Sequence, residues 1–284
     1  MQLDFHKMHG AGNDFVVLDA RDQAIALRPG TVAALACRRT GIGFDQLVLV
    51  ARDDAPDAVF VRFFNADGSE SGACGNASRC IGWLVGEGAP GAGCTIRTVA
   101  GLLPAQILSA DADGNGGQVT VRFEPPRFDW RDVPLSRAAD TLHLPLPGDP
   151  AGCSMGNPHA TFFDPALDPS VEGPRFERDA LFPEGANIGF ATVLAPDRMR
   201  LRVFERGAGL TLACGSGACA AVVNAARRGL CGRDVTVLAD GGTLRVRWDE
   251  DGVHLSGPTR LSFTGTVDLD AFEARALGPG AFAA

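Results

Sequence analysis

The chain has 284 residues, 45% hydrophobic and 21% charged, which is too apolar for a disordered tail and far too long for a disulfide-stapled miniprotein. Its formal charge of −8 excludes phosphate backbones and anionic membranes as partners held by global attraction. The twenty uncharged residues Gly207 to Ala226 are mostly Gly, Ala, Ser, Cys and Asn, too weakly apolar to span a bilayer. The start, MQLDFHKMHG, carries no signal-peptide pattern, so the expected compartment is the cytoplasm, where eight cysteines stay reduced.

Taken in chain order, short alternating or β-branched runs predict strands at Phe15–Leu18, Gln46–Val50, Val59–Phe64, Val119–Phe123, Met199–Phe204 and Leu244–Trp248. Helices are predicted at about Thr31–Arg38, Gly75–Leu84 and Gly215–Arg228, the last closed by Arg227, Arg228 and Gly229. The proline-rich stretch Pro125–Pro150 reads as connecting structure. Lys7 is the only lysine, so Schiff-base chemistry would have to rest on it. No phosphate loop and no dinucleotide fingerprint are present.

The sequence repeats itself. Val61–Cys80 laid over Leu201–Ala220 gives five identities without a gap: Arg62/Arg202, Phe64/Phe204, Ala73/Ala213, Cys74/Cys214 and Gly75/Gly215. Gly12-Asn13 against Gly156-Asn157, and Gly43-Phe44 against Gly189-Phe190, add two further matches in the same order. Two homologous lobes follow: residues 1–117, completed by 263–284, and residues 118–262.

In each lobe a Cys-Gly step opens a helix, where free backbone N–H groups and the helix dipole favour anions and ionised thiols. A base on one face of a tetrahedral carbon and an acid on the other invert its configuration. Two such cysteines, with helix N-termini holding the adjacent carboxylate, point to racemisation or epimerisation without cofactor or metal. Each cysteine alone also reads as a small residue buried at a tight turn. Asn65 and Glu205 stand nine residues before Cys74 and Cys214 and read as turn residues or as part of the site. Arg206 pairs with Glu205 or anchors a second carboxylate. His159 tunes a thiol or is a structural histidine. Cys80 and Cys219 read as helix core, and Cys37, Cys94, Cys153 and Cys231 as structural.

HGAGNDF at His9–Phe15, FNADGSESGACGN at Phe64–Asn76, GNPH at Gly156–His159 and ERGAGLTLACGSGACA at Glu205–Ala220 resemble the diaminopimelate epimerase family. The resemblance implies an α/β (α+β) fold of two lobes related by a pseudo-twofold, each a mixed, mostly antiparallel sheet curled around a central helix, with the active site in the cleft between. It implies pyridoxal-free interconversion of LL- and meso-diaminopimelate in lysine and peptidoglycan precursor synthesis, and a homodimer. Cys74 and Cys214 resemble the acid–base pair, His159 and Glu205 the residues that modulate them. Gly75, Asn76, Gly215 and Ser216 resemble the carboxylate cradle. Asn13, Gln46, Asn65, Asn157, Asn187, Glu205 and Arg206 resemble the residues around the substrate, several reading its distal, non-reacting end. Two departures stand out: CGNASRC replaces the common CGNGARC, and Leu210 occupies a usual glutamate position. A proline or hydroxyproline racemase of the same fold is the nearest competitor, although that group usually has His where Asn76 stands. A thiol redox or metal-binding protein is the competitor from another class.

Overall fold

The structure, a computed structural model, describes residues 1–72 and 74–277, with the backbone course alone over 274–277. Ala73 of the repeat, and the last seven residues of the first lobe's expected completion, lie outside the described residues. The chain divides into two compact units, Met1–Val119 with Thr259–Ala284, and Thr120–Pro258.

The first unit runs β1 (Gln2–Gly10), β2 (Asn13–Ala20), α1 (Pro29–Ala36), β3 (Gln46–Arg52), β4 (Ala58–Asn65), β5 (Glu70–Ser71), α2 (Gly75–Val85), β6 (Gly93–Thr98), β7 (Gly101–Ala110) and β8 (Gly116–Phe123). The second contains β9 (Ala151–Ser154), β10 (Pro158–Phe162), α3 (Pro169–Glu177), β11 (Asn187–Ala195), β12 (Arg198–Glu205), β13 (Gly209–Thr211), α4 (Gly215–Arg227), β14 (Asp234–Ala239), β15 (Gly242–Asp249) and the start of β16 (Gly252–Asp268), which α5 (Leu269–Leu277) follows. As expected from its prolines, 125–150 holds no strand or helix. The six predicted strands and three predicted helices are all present with ends moved by a few residues, whereas α3 and α5 are additions.

In the first unit the strand order β1-β2-β3-β4-β6-β7-β8-β16 closes on itself, because β16 also pairs with β1. Helix α2 packs against β1, β6 and β7, strands that only a curled sheet brings to one helix. Its first nine residues, Gly75 to Trp83, are all buried, as expected of a helix enclosed on every side. A second layer packs Val32 and Leu35 of α1 with Leu3, Leu18, Leu47, Phe64, Leu269 and Phe272.

The second unit repeats the pattern with the order β16-β15-β14-β12-β11-β10-β9. Helix α4 touches β9, β10, β11, β12 and β15. Its glycines, alanines and valines keep it narrow, and every residue from Gly215 to Ala225 except Ser216 is buried. Outside that sheet, Phe176 and Phe182 from α3 and its following turn pack with Phe162, Ile188 and Phe190.

Register fixes the internal correspondence. The parallel pairs β2/β3 and β4/β6 match β10/β11 and β12/β14. Phe15 lies opposite Gln46 and His159 opposite Asn187. Gln46 faces Asn65, and Ile188 faces Phe204, which brings Asn187 to Glu205. Asn187 is therefore the counterpart of Gln46. The sequence match of Gly43-Phe44 with Gly189-Phe190 is corrected accordingly: the first pair precedes β3, whereas the second lies inside β11. A shared Gly-Phe dipeptide is short enough to arise twice, and strand register is the stricter criterion.

Candidate active site

Each repeated cysteine is the N-cap of its helix. Cys74 has extended backbone (φ −143°) before α2, and its Sγ accepts from Ala77 N–H at 3.5 Å. Cys214 (φ −114°) precedes α4, and its Sγ accepts from Gly217 N–H at 3.3 Å. A sulfur here takes the place of the usual Ser or Asp oxygen and satisfies one of the helix's unpaired donors. Asn76 and Ser216 stand on the first turns, at the matching position.

Around Cys74, Asn13 Oδ1 lies 4.0 Å from Sγ. The Asn13 amide is turned by its own nitrogen, which donates to Asp45 at 2.8 Å. Behind it Arg38 bridges Asp14 and Asp45, and Lys7 Nζ reaches both Asp14 and the carbonyl of Gly43. Arg38 and Lys7 hold the Asp14 carboxyl well below its usual range, overcoming the opposing effect of burial. Gln46 donates to Asn65 Oδ1 at 2.9 Å across the β3/β4 pair, and Asn65 donates to Ser69. Asn76 Oδ1 accepts from Arg79 at 2.9 Å, a wholly buried guanidinium. The only lysine thus sits in an ionic cluster under the sheet end, and sequence reasoning missed that cluster; its sole cue was Asp14 directly following Asn13.

Around Cys214 the residues singled out in sequence form one connected set. Arg206 N–H donates to Asn187 Oδ1 at 3.0 Å, and Asn187 Nδ2 donates to the carbonyl of Pro158 at 3.0 Å. His159 Nε2 meets Asn157 Oδ1 at 2.9 Å. Asn157 Nδ2 reaches Ser216 Oγ at 3.5 Å, and that hydroxyl lies 3.7 Å from Cys214 Sγ. Glu205 accepts a hydrogen bond from Thr211, a residue the sequence did not single out.

Electrostatics in this set oppose ionisation. Burial pushes the Cys214 thiol well above its ordinary value, and the neighbouring Glu205 pushes it further, against the pull of Gly217 N–H and Ser216. Burial also raises Glu205, although Thr211 and Cys214 pull it down. The sequence expectation of an easily ionised thiol at a helix N-terminus therefore fails for Cys214: desolvation and a carboxylate outweigh the dipole. Burial, with Arg206 nearby, pushes His159 down to about 3. Its ring is neutral at ordinary pH, and because Asn157 presents a carbonyl oxygen, Nε2 carries the hydrogen.

Burial raises Cys80, Cys94 and Cys231 to about 11 and Cys153 to about 12, the same direction as Cys214, so position at the helix N-termini rather than acidity marks out the repeated pair. Cys37 differs, since the Thr40 hydroxyl and nearby amides lower it. Ala77 and Ser78 of the unusual CGNASRC stretch are fully buried, and Ser78 donates to Cys74 O at 2.8 Å. Leu210 is exposed on β13.

A family model for diaminopimelate epimerase matches residues 5–128 and 153–261. Diaminopimelate epimerase of Gluconobacter oxydans is 60% identical over 94% of this chain and 100% of its own length. That of Acidiphilium cryptum is 54% identical over 93% of this chain and 96% of its own. Among solved structures, a predicted epimerase from Pseudomonas aeruginosa matches with TM-score 0.67 at 17% identity, covering 93% of this chain and 99% of that one. A hydroxyproline epimerase from Agrobacterium vitis matches with TM-score 0.65 at 14% identity, covering 95% and 93%. At such identities the structural matches carry fold alone.

Proposed function

The chain belongs to the diaminopimelate epimerase family, and from that membership we propose that it interconverts LL- and meso-diaminopimelate using Cys74 and Cys214 as the two bases. The observation that carries this reading is the matched placement of both sulfurs as helix N-caps beside amide-rich first turns. One sulfur, as thiolate, takes the proton from the α-carbon, and the electron pair of the broken C–H bond stays on carbon and its carboxylate. The other, as thiol, delivers its proton to the opposite face and becomes the thiolate. The two cysteines exchange protonation states with each turnover, so the return reaction starts from the opposite arrangement.

In this reading Cys214 starts protonated in the free enzyme, because burial beside Glu205 keeps its hydrogen on sulfur, and Cys74 starts as the thiolate; the return reaction uses the reverse assignment. Backbone amides from Gly75, Asn76, Gly215 and Ser216 hold the carboxylate that absorbs the carbanion's charge. Neutral His159 fixes the Asn157 amide, which in turn orients Ser216 toward Cys214. Asn13, Gln46, Asn65, Asn187, Glu205 and Arg206 surround the remainder of the substrate, with Arg206 on the distal carboxylate, which it holds equally in ground and transition states. The enzyme works as a cytoplasmic homodimer supplying lysine and peptidoglycan precursors, and light scattering tests the assembly.

The decisive experiment follows deuterium from solvent into LL-diaminopimelate without added pyridoxal phosphate. Wild type incorporates label into inverted product, and Cys74→Ala and Cys214→Ala each lose about 10²–10⁴-fold in inversion, the usual worth of a positioned acid or base. Absence of exchange in folded, reduced wild-type protein would remove the substrate. Full activity in either variant would remove that cysteine's role.

A further inference from the structure

Helix α3 is missing from the sequence reading, yet its last residue carries a buried carboxyl group. Glu177 is 7% exposed. Its Oε1 accepts from Gly207 N–H at 2.9 Å, and its own backbone carbonyl accepts from Ala186 N–H at 3.2 Å. Gly207 follows Arg206 in the turn closed by Ala208 N–H on Glu205 O at 3.1 Å, and it has φ +76°, as the third residue of a type II turn requires. Glu177 thus clamps the turn from which the Arg206 side chain springs.

The stem of that side chain runs past the same segment. Gly185 has φ +72°, and a Cβ there would lie 3.2 Å from Arg206 Cδ, 3.3 Å from Arg206 Cγ and 3.3 Å from Glu177 O. Arg206 Nη1 donates to the carbonyl of Glu184 at 3.2 Å, so its free motion is curtailed at two levels, the main chain by Asn187 and by the Glu177 clamp on the next residue, and the head group by Glu184, while the bare backbone of Gly185 leaves the space the stem runs through. Among the described residues its Nε and Nη2 make no bond within the protein. That is the edge a carboxylate engages through two parallel hydrogen bonds.

We infer that Glu177 and Gly185 are positioning residues for Arg206, and that through it they set the enzyme's selectivity for a substrate with a second, distal carboxylate. This rests on the reading above that Arg206 holds that carboxylate. An arginine free to swing would bind the same group while losing rotamer entropy at each encounter. A guanidinium already held aims its open edge before substrate arrives. The effect belongs to binding common to ground and transition states, so it falls on KM while kcat is spared.

The test measures kcat and KM for LL-diaminopimelate by solvent deuterium incorporation in Glu177→Leu, Glu177→Gln, Gly185→Ala and Arg206→Lys. Glu177→Leu and Gly185→Ala raise KM roughly tenfold or more, the worth of one aligned hydrogen bond to a charged group, with kcat within about threefold of wild type. Glu177→Gln keeps an acceptor for Gly207 N–H and restores KM to within about threefold. A general weakening of the fold would lower the melting temperature without this KM-against-kcat split or the rescue. If Glu177→Leu does not fold, Gly185→Ala decides, because it displaces the stem and leaves the carboxyl in place. Unchanged KM in Gly185→Ala and Glu177→Leu, with KM raised in Arg206→Lys, would overturn the inference. Unchanged KM in Arg206→Lys would instead overturn the role given to Arg206.

Discussion

The two units carry the same strand-strand-helix plan and the same capping sulfur, but they surround it differently. Beside Cys74 stands an amide, Asn13, a second amide pair, Gln46 and Asn65, joins β3 to β4, and the charges lie behind Asn13 in the Lys7–Asp14–Arg38–Asp45 cluster. Beside Cys214 stands a carboxyl group, Glu205, and the layer behind it is a neutral chain of His159, Asn157 and Asn187. The turn that reads Asn65-Ala66 in one unit reads Glu205-Arg206 in the other. The two caps match in position, and the differing strand ends put the charges of Glu205 and Arg206 in the second unit, where the proposed function needs an acid and a substrate anchor.

The contrast is broken most strongly by removing a charge from the first unit. Asp14→Asn leaves Lys7, whose side chain is 10% exposed, short of its counter-ion and costs about 3 kcal/mol, the lower end for a stranded buried charge because Asp14 is partly solvated. Urea denaturation measures it. The wild-type contribution is present above the unfolded carboxyl's titration and fades as pH falls through the depressed folded one, so the variant also loses part of the acid sensitivity.

A second comparison exchanges the small residues one turn into each helix. A Cβ at Gly217 would lie 2.9 Å from Val203 Cγ2 and 3.1 Å from Cys214 Sγ. Gly217→Ala therefore costs about 1–3 kcal/mol by overpacking and displaces the thiol. Ala77 fills the matching place in the first unit, so Ala77→Gly costs about 1–2 kcal/mol, backbone entropy together with one buried methyl. Thermal denaturation of both variants ranks them; equal costs would show that the two caps pack alike.

The smallest effect sharpens the contrast from the second unit. His159 is pushed down to about 3 in the folded chain, while an unfolded histidine titrates near 6.5. Its neutral burial contributes full stability above pH 6.5, and as pH falls the unfolded chain takes up a proton that the folded chain refuses. Between pH 6.5 and 5.5 wild type loses about 1 kcal/mol more than His159→Gln. Parallel stability curves for the two proteins would contradict a buried neutral ring.

The amino-acid order exposed the two capped helices better than it exposed the sheets. Cys74 and Cys214 were legible because a duplicated Cys-Gly step before a helical run has few alternative explanations. Helix α3 was hidden by Gly173 and Pro174 inside it, although Asp168 before Pro169 is a good capping signal: Asp168 does accept from Ser170 N–H. Strand β16 was hidden by Gly257-Pro258, which reads as a break. Pro258 is tolerated because the strand changes partners there, from β15 up to Ser256 to β1 from Arg260 onward. The acidity of Cys214 was illegible for another reason. Helix position is local, whereas desolvation and the approach of Glu205 arise only when β12 and α4 come together.

The closing of the first sheet by β16 sets an order on biosynthesis. Met1–Val119 emerges from the ribosome first, yet its barrel lacks a stave until Thr259–Asp268 has been made. The second unit, Thr120–Pro258, is a continuous stretch of chain and is complete earlier. The usual vectorial order, amino-terminal domain first, therefore does not apply to the first unit, whose last strand is made only after the whole of the second.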